Sequence, residues 1–158
     1  MQFECKNYLL PTDALLQSEF DVESEALALD RVTRMIESRS RAALIFVDAC
    51  RDNPLAERFY RENYSETRAL MTRGLAPAKT SDGSMLVFSA SPGQVAFDGK
   101  GRNSPFAASL AKHLPSENVE VLSLMKRVIR DVKLESGDKQ VPMVTTDLPT
   151  ELYLNLSP

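Results

Sequence analysis

Three side chains in the run Val47-Asp48-Ala49-Cys50-Arg51-Asp52-Asn53-Pro54 could do nucleophilic chemistry together: a carboxylate at 48, a thiol at 50 and a guanidinium at 51. The run continues Ala42-Ala43-Leu44-Ile45-Phe46, an apolar stretch that predicts a buried strand over 42–49. Alternate strand residues point to the same side, so Asp48 and Cys50 share one. In an open α/β sheet, ligands bind outside the carboxyl ends of the strands, and a thiol there is placed to attack a carbonyl carbon. The competing reading is structural. Free cysteine packs readily as a small hydrophobe, and an acid at a strand end can cap the Asn53-Pro54 turn. A free thiol titrates near about 8.5 and needs a base to be reactive at neutral pH. Arg51 favours the thiolate, whereas Asp48 and Asp52 oppose it.

Asp48-Ala49-Cys50-Arg51 resembles the nucleophile strand of the caspase-like cysteine peptidases, in the bacterial and metacaspase-type branch that carries Asp-Ala-Cys where animal caspases carry Gln-Ala-Cys. Asp52 departs from the animal signature, which has glycine there. Further runs follow in the order that bacterial caspase-like domains show: Arg73-Gly74-Leu75-Ala76, Val87-Phe88-Ser89-Ala90-Ser91-Pro92-Gly93-Gln94-Val95-Ala96-Phe97-Asp98-Gly99, and Gly101-Arg102-Asn103-Ser104-Pro105-Phe106. Near the start, Asn7-Tyr8-Leu9-Leu10-Pro11-Thr12-Asp13-Ala14 is similar to their segment after the catalytic His-Gly. The similarity runs from about Gln2 to Leu154. It implies an α/β fold, a caspase-like and mostly parallel sheet flanked by helices, as one domain over 1–158 with a polar linker at about 55–83.

The resemblance also implies roles. Cys50 is the expected nucleophile, with its backbone N–H as one oxyanion donor. Asp48, two residues before it, is expected to line the primary pocket and to select arginine or lysine by charge pairing. Ser89 and Ser91 stand where the family aligns the substrate backbone, and Gln94 and Asp98 lie on the loop expected to close over the pocket. Arg68 and Arg73, in the arginine-rich linker broken by Gly74 and Pro77, are the candidate autocleavage sites.

The family's histidine lies roughly 50 residues before its cysteine, a count that from Cys50 reaches Met1 with no histidine passed. The expectation is therefore a domain incomplete at its amino terminus, lacking its own His-Gly segment. The single histidine, His113, falls in the last turn of a predicted helix, where a solvated or capping cation is favoured. Expected partners are a peptide or protein substrate with a basic residue before the scissile bond, and an amino-terminal complementing segment or a second copy. The rival function is a catalytically inactive domain that binds peptides or partners through the same cleft.

The elements needed to hold these residues are legible in outline. A helix is expected over 21–38, capped by Asp21, with Leu29, Val32 and Ile36 on one face. The linker is expected to be partly helical over 56–71. A second buried strand spans 84–90 and leads into a glycine-rich loop over 92–102. Ser104 followed by Pro105 reads as an N-cap with proline in the first turn, opening a helix that ends near Leu114. Another helix over 119–134 carries Leu122, Met125, Val128, Ile129 and Val132 on its core face. A turn at Gln140-Val141-Pro142 and a short strand over 151–154 close the chain.

The 158 residues, 43% hydrophobic and 26% charged, have the profile of a folded water-borne domain. A net charge of −3 argues against nucleic acid as a partner. No apolar run reaches the ~20 residues that span a bilayer, so no membrane partner is expected. Two cysteines, Cys5 and Cys50, in unrelated contexts indicate no disulfide framework, and a reducing, cytoplasmic setting is expected. No metal site and no cofactor is read from the residues; calcium activation, which some metacaspases show, is left open by the resemblance.

Overall fold

The computed structural model describes residues 1–3, 6–18, 20–49, 80, 82–92, 94–99 and 101–157. Cys5, Cys50, Arg68, Arg73 and nearly all of the linker at 55–83 lie outside the described residues.

Two small sheets organise the chain. In the first, strands β1 (Gln2–Phe3), β2 (Lys6–Leu9) and β3 (Leu27–Ala28) run antiparallel in the order β1-β2-β3. In the second, β4 (Ala43–Val47) and β5 (Ser84–Phe88) are parallel, and β6 (Met143–Thr146) joins β5 antiparallel, giving the order β4-β5-β6. The fold is α/β as expected, with a sheet that is mixed.

Strand alternation divides the core. Met85 and Val87 of β5 face α3 (Pro105–His113) and α4 (Val121–Ser136), packing with Phe106, Leu124, Met125, Val128 and Val132. Leu86 and Phe88 face the other way, onto Val47 and onto Leu29 at the start of α2 (Leu29–Glu37). With both faces covered, all five residues of β5 are buried, the pattern of a continuous apolar strand between helical layers. β4 obeys the same alternation: Leu44 and Phe46 side with α3 and α4, Ile45 with Leu86 and Phe88.

The expected helix over 21–38 is broken. A short α1 (Asp21–Glu25) ends at Ala26, which is extended, and Leu27–Ala28 pair with β2 before α2 begins. Val22 packs with Phe3 and Tyr8, while Leu29 packs with Val47, Leu86 and Phe88. Seven residues apart, the two would lie on one face of a straight helix; the extended step lets each enter a different cluster. Asp21 does not cap α1. It is the first helical residue, and its carboxylate accepts from the backbone N–H of Ser18 at 2.6 Å and of Gln17 at 2.9 Å, bonds that hold its carboxyl below the usual range.

α4 has strong ends. The Glu120 carboxylate accepts from the N–H groups of Leu122 and Ser123, both at 2.9 Å. At the other end Gly137 adopts a left-handed φ of 61°, and the N–H groups of Asp138 and Gly137 donate to the carbonyls of Lys133 and Leu134. That is a Schellman termination, which a left-handed residue makes possible. It turns the chain from α4 toward the edge of the sheet where β5 ends. The strand expected over 151–154 is reduced to one bridge, Tyr153 with Glu120, and the terminal strand of the sheet is β6.

Candidate active site at the carboxyl ends of the parallel strands

β4 and β5 are in parallel register, Val47 opposite Phe88, so Asp48 and Ser89 leave the sheet side by side at its carboxyl edge. The Ser89 N–H donates to the Val47 carbonyl at 3.0 Å, carrying the pairing one step past the strands. Asp48 is exposed at this edge. Cys50, two residues on, is outside the described residues, as are Arg68 and Arg73.

The Asp48 carboxylate is fixed by α3. Ser104 is the N-cap of that helix: its hydroxyl accepts from the Ala107 N–H at 2.9 Å, while Pro105 occupies the first turn. The same hydroxyl donates to Asp48 Oδ2. One serine thereby ties the end of β4 to the start of α3, and the partial positive charge of the helix N-terminus favours a carboxylate there. Among the described residues, no hydrogen bond reaches Asp48 Oδ1.

Ser89, Ser91 and Gln94 are gathered at the same edge, but they are engaged inward. Ser89 is 2% exposed, and its carbonyl accepts from Gln140 Nε2 at 2.8 Å. The Ser91 hydroxyl donates to the Val141 carbonyl at 2.9 Å. Gln94 Oε1 accepts from the Val141 N–H at 2.8 Å. Asp98 is exposed on the loop, next to Gly99. Gly99 has a φ of 78°, and a Cβ placed on it would stand 2.9 Å from the Asn103 carbonyl and 3.3 Å from the Pro105 ring. Glycine is needed there to let the loop close onto the start of α3, beside Ser104.

His113 stands apart. α3 has nine residues, so at 1.5 Å per residue its last turn is about 13 Å from Ser104. There His113 is buried, with Nε2 at 2.8 Å from Asp131 Oδ2 of α4, an oxygen that also accepts from Lys112 Nζ at 2.7 Å. The expected solvated or capping cation is instead part of a staple between two helices. Bonds from Lys112, then His113, and a weaker one from Arg130 hold the Asp131 carboxyl well below the usual carboxylate range.

Two participants escaped the sequence reading. Ser104 was legible as a helix cap but not as the partner of Asp48, 56 positions away. Gln140 was legible as part of a turn but not as the partner of Ser89 and Phe97, 51 and 43 positions away. Among the described residues, no group of three or more histidine, cysteine or acidic side chains is arranged to hold a metal ion, and no helix is long and apolar enough to cross a membrane.

The described core is a parallel strand pair flanked by helices, with an acid at its carboxyl edge that stands two residues before a cysteine in the sequence. The sequence model of the caspase domain matches residues 1–153, and the chain belongs to that family. Among solved structures it is similar to caspase-1 from Spodoptera frugiperda, with a TM-score of 0.58 and 18% identity, over 84% of this chain and 56% of that one. The chain thus spans little more than half the length of that relative, and the likeness is one of fold. No curated protein matches it.

Proposed function

We propose that this chain is the nucleophile-bearing part of a cysteine endopeptidase of the metacaspase-like, bacterial type, which cleaves after arginine or lysine when a His-Gly-bearing segment completes the site. The observation that carries the reading is Asp48: an exposed carboxylate at the end of a parallel strand, two residues before Cys50, anchored through one oxygen to the N-cap of α3. An anchored carboxylate with its other oxygen free of described partners suits a guanidinium, which bonds through paired N–H groups. It repels the carboxylate of an aspartyl substrate. The Asp-Ala-Cys run, in place of Gln-Ala-Cys, supports the metacaspase-type branch.

In this reading the Cys50 thiol gives its proton to the histidine of the completing segment, and its sulfur attacks the carbonyl carbon after the basic residue. The carbonyl oxygen becomes an oxyanion near the Cys50 N–H. Collapse expels the amine, which takes the proton back from the histidine; water then hydrolyses the thioester and regenerates the thiol. Asp48 holds the substrate's cation throughout. Ser89, Ser91 and Gln94 contribute by shaping the loop beside the cleft, and Asp98 by standing exposed where that loop meets α3. The reading takes residues 1–158 as one domain, with the linker at about 55–83 cut after Arg68 or Arg73, in the cytoplasm.

A second reading is favoured by His113. The single histidine of the chain is committed to Asp131 at the far end of α3, so a chain acting without a completing segment has no base for Cys50 and would serve as a peptide-binding module. The two readings separate on covalent labelling. The full-length protein is treated with a peptidyl-arginine chloromethyl ketone and mapped by mass spectrometry. Alkylation at Cys50, faster than at Cys5 and lost in Asp48→Ala, is expected of the peptidase. Reversible binding of the peptide without adduct is expected of the module.

A further inference from the structure

Gln140 is 0% exposed, and its carboxamide is used from both ends. Nε2 donates to the Ser89 carbonyl at 2.8 Å, just past the end of β5, and Oε1 accepts from the Phe97 N–H at 3.0 Å, near the far end of the same loop. Val141 adds two ties between those points, to the Ser91 hydroxyl and the Gln94 carboxamide. Gln140 is itself fixed by Ser136, the last residue of α4, whose hydroxyl accepts from the Gln140 N–H at 3.0 Å. Four positions of the loop, 89, 91, 94 and 97, are therefore bound to two consecutive residues delivered by the Schellman turn after α4. Two residues beyond Phe97, Gly99 sits against Asn103 and Pro105, next to the serine that holds Asp48.

The side chain required at 140 is narrowly defined. It must donate to one peptide and accept from another while fully buried, which a carboxamide of this length does. Methionine would leave the Ser89 carbonyl and the Phe97 N–H unpaired in a buried place, and a carboxylate would lose the donor to Ser89.

We propose that Gln140 is a positioning residue: by bonding Ser89 and Phe97 at once, it fixes the loop that ends beside Ser104, the partner of Asp48, and so sets how tightly a basic substrate is held, without touching that substrate. The substrate half of this inference rests on the peptidase reading; the loop half stands on the hydrogen bonds alone.

The test uses the full-length protein and Gln140→Met, with two readouts. In hydrogen exchange, the amides of Phe97 and Val141 are expected to exchange ~10-fold faster or more in the variant, since each loses or loosens a bond that limits local opening, while amides in β5 and α4 change far less. Exchange that rises equally everywhere, or nowhere, would overturn the positioning role, because a residue acting only on global stability moves all amides together. With a peptidyl-arginine reporter, KM is expected to rise ~10-fold with kcat nearly unchanged, the signature of lost ground-state positioning. An unchanged KM beside a loosened loop would overturn the link to substrate. Gln140→Glu supplies a check that folding alone cannot mimic. While its carboxyl is ionised it keeps the bond from the Phe97 N–H and loses only the one to Ser89, so it should loosen the loop less than Gln140→Met, and it should recover toward the wild type as acid protonates the carboxyl, which then donates to Ser89 and accepts from Phe97. A wild-type protein that hydrolyses no reporter even when supplied with a His-Gly-bearing segment would count against the peptidase reading, and the exchange data would still decide the role of Gln140 in the loop.

Discussion

One helix, α3, meets a carboxylate at each end, and the two are treated in opposite ways. At its carboxyl end Asp131 is ringed by Lys112, His113 and Arg130, and its side chain is largely covered. At its amino end Asp48 has, among the described residues, one neutral partner, the Ser104 hydroxyl, and is exposed. An acid saturated by neighbouring cations has little to offer an incoming ligand; it joins elements. An acid held by a hydroxyl has its charge uncompensated by that partner, and among the described residues no hydrogen bond reaches its second oxygen. The difference fits Asp131 to the architecture and, in the proposed reading, Asp48 to recognition, with the chain's one histidine lying in the same helix as the candidate site without belonging to it.

Phe106 sits between the two ends, fully buried against Met85, Val87 and α4. Phe106→Ala should detach both ends of α3 and cost about 3–5 kcal/mol, the usual range for emptying an aromatic site. Denaturant unfolding would show it as a lower midpoint; a loss under about 1 kcal/mol would mean that α3 is not held as described.

Asp131→Asn should lower Tm at pH 7 while leaving peptide selectivity alone. The sign follows from its depressed titration. A carboxyl held below its unfolded value, about 3.9, stabilises the fold above that value and loses the contribution as the pH falls through the folded value. The gap between wild type and variant should therefore be full at neutral pH and narrow below about pH 4. A gap that grows in acid would contradict the staple.

Ser104→Ala should have the smallest effect on stability, about 1 kcal/mol for a lost N-cap. It also frees Asp48, so basic peptides should bind more weakly than that stability change explains. Ser104→Thr, which keeps the hydroxyl, should restore both; restoration of stability without binding would separate the cap from the acid.

Sequence reading reached the parts of the fold governed by local rules. The apolar run at 43–47, the serine-proline start of α3 and the 3.6-residue period of α4 each appear where propensity and capping place them. What it missed was set by distant partners. The break at Ala26 depends on an open edge of β2, and β6 is a four-residue strand that exists because β5 offers it a side. His113 was readable as a helix-end cation, but Asp131, 18 residues on, decides that it is buried and paired. Ser89, Ser91 and Gln94 lie beyond the carboxyl end of β5, bonded inward. Their inward bonds to residues 140 and 141 follow from where α4 ends, which no pattern within the loop records.

We propose that the exposed carboxylate at 48, held among the described residues by Ser104 alone, selects cationic substrates for Cys50. Steady-state kinetics of the protein supplied with a His-Gly-bearing segment, with matched reporters ending in arginine or aspartate, for wild type and Asp48→Ala, test it most directly. The account predicts cleavage after arginine and none after aspartate, with kcat/KM on the arginine reporter falling ~100-fold in the variant, the scale of a charge pair lost from a partly desolvated pocket. Cleavage after aspartate, or arginine cleavage undiminished without Asp48, would contradict it.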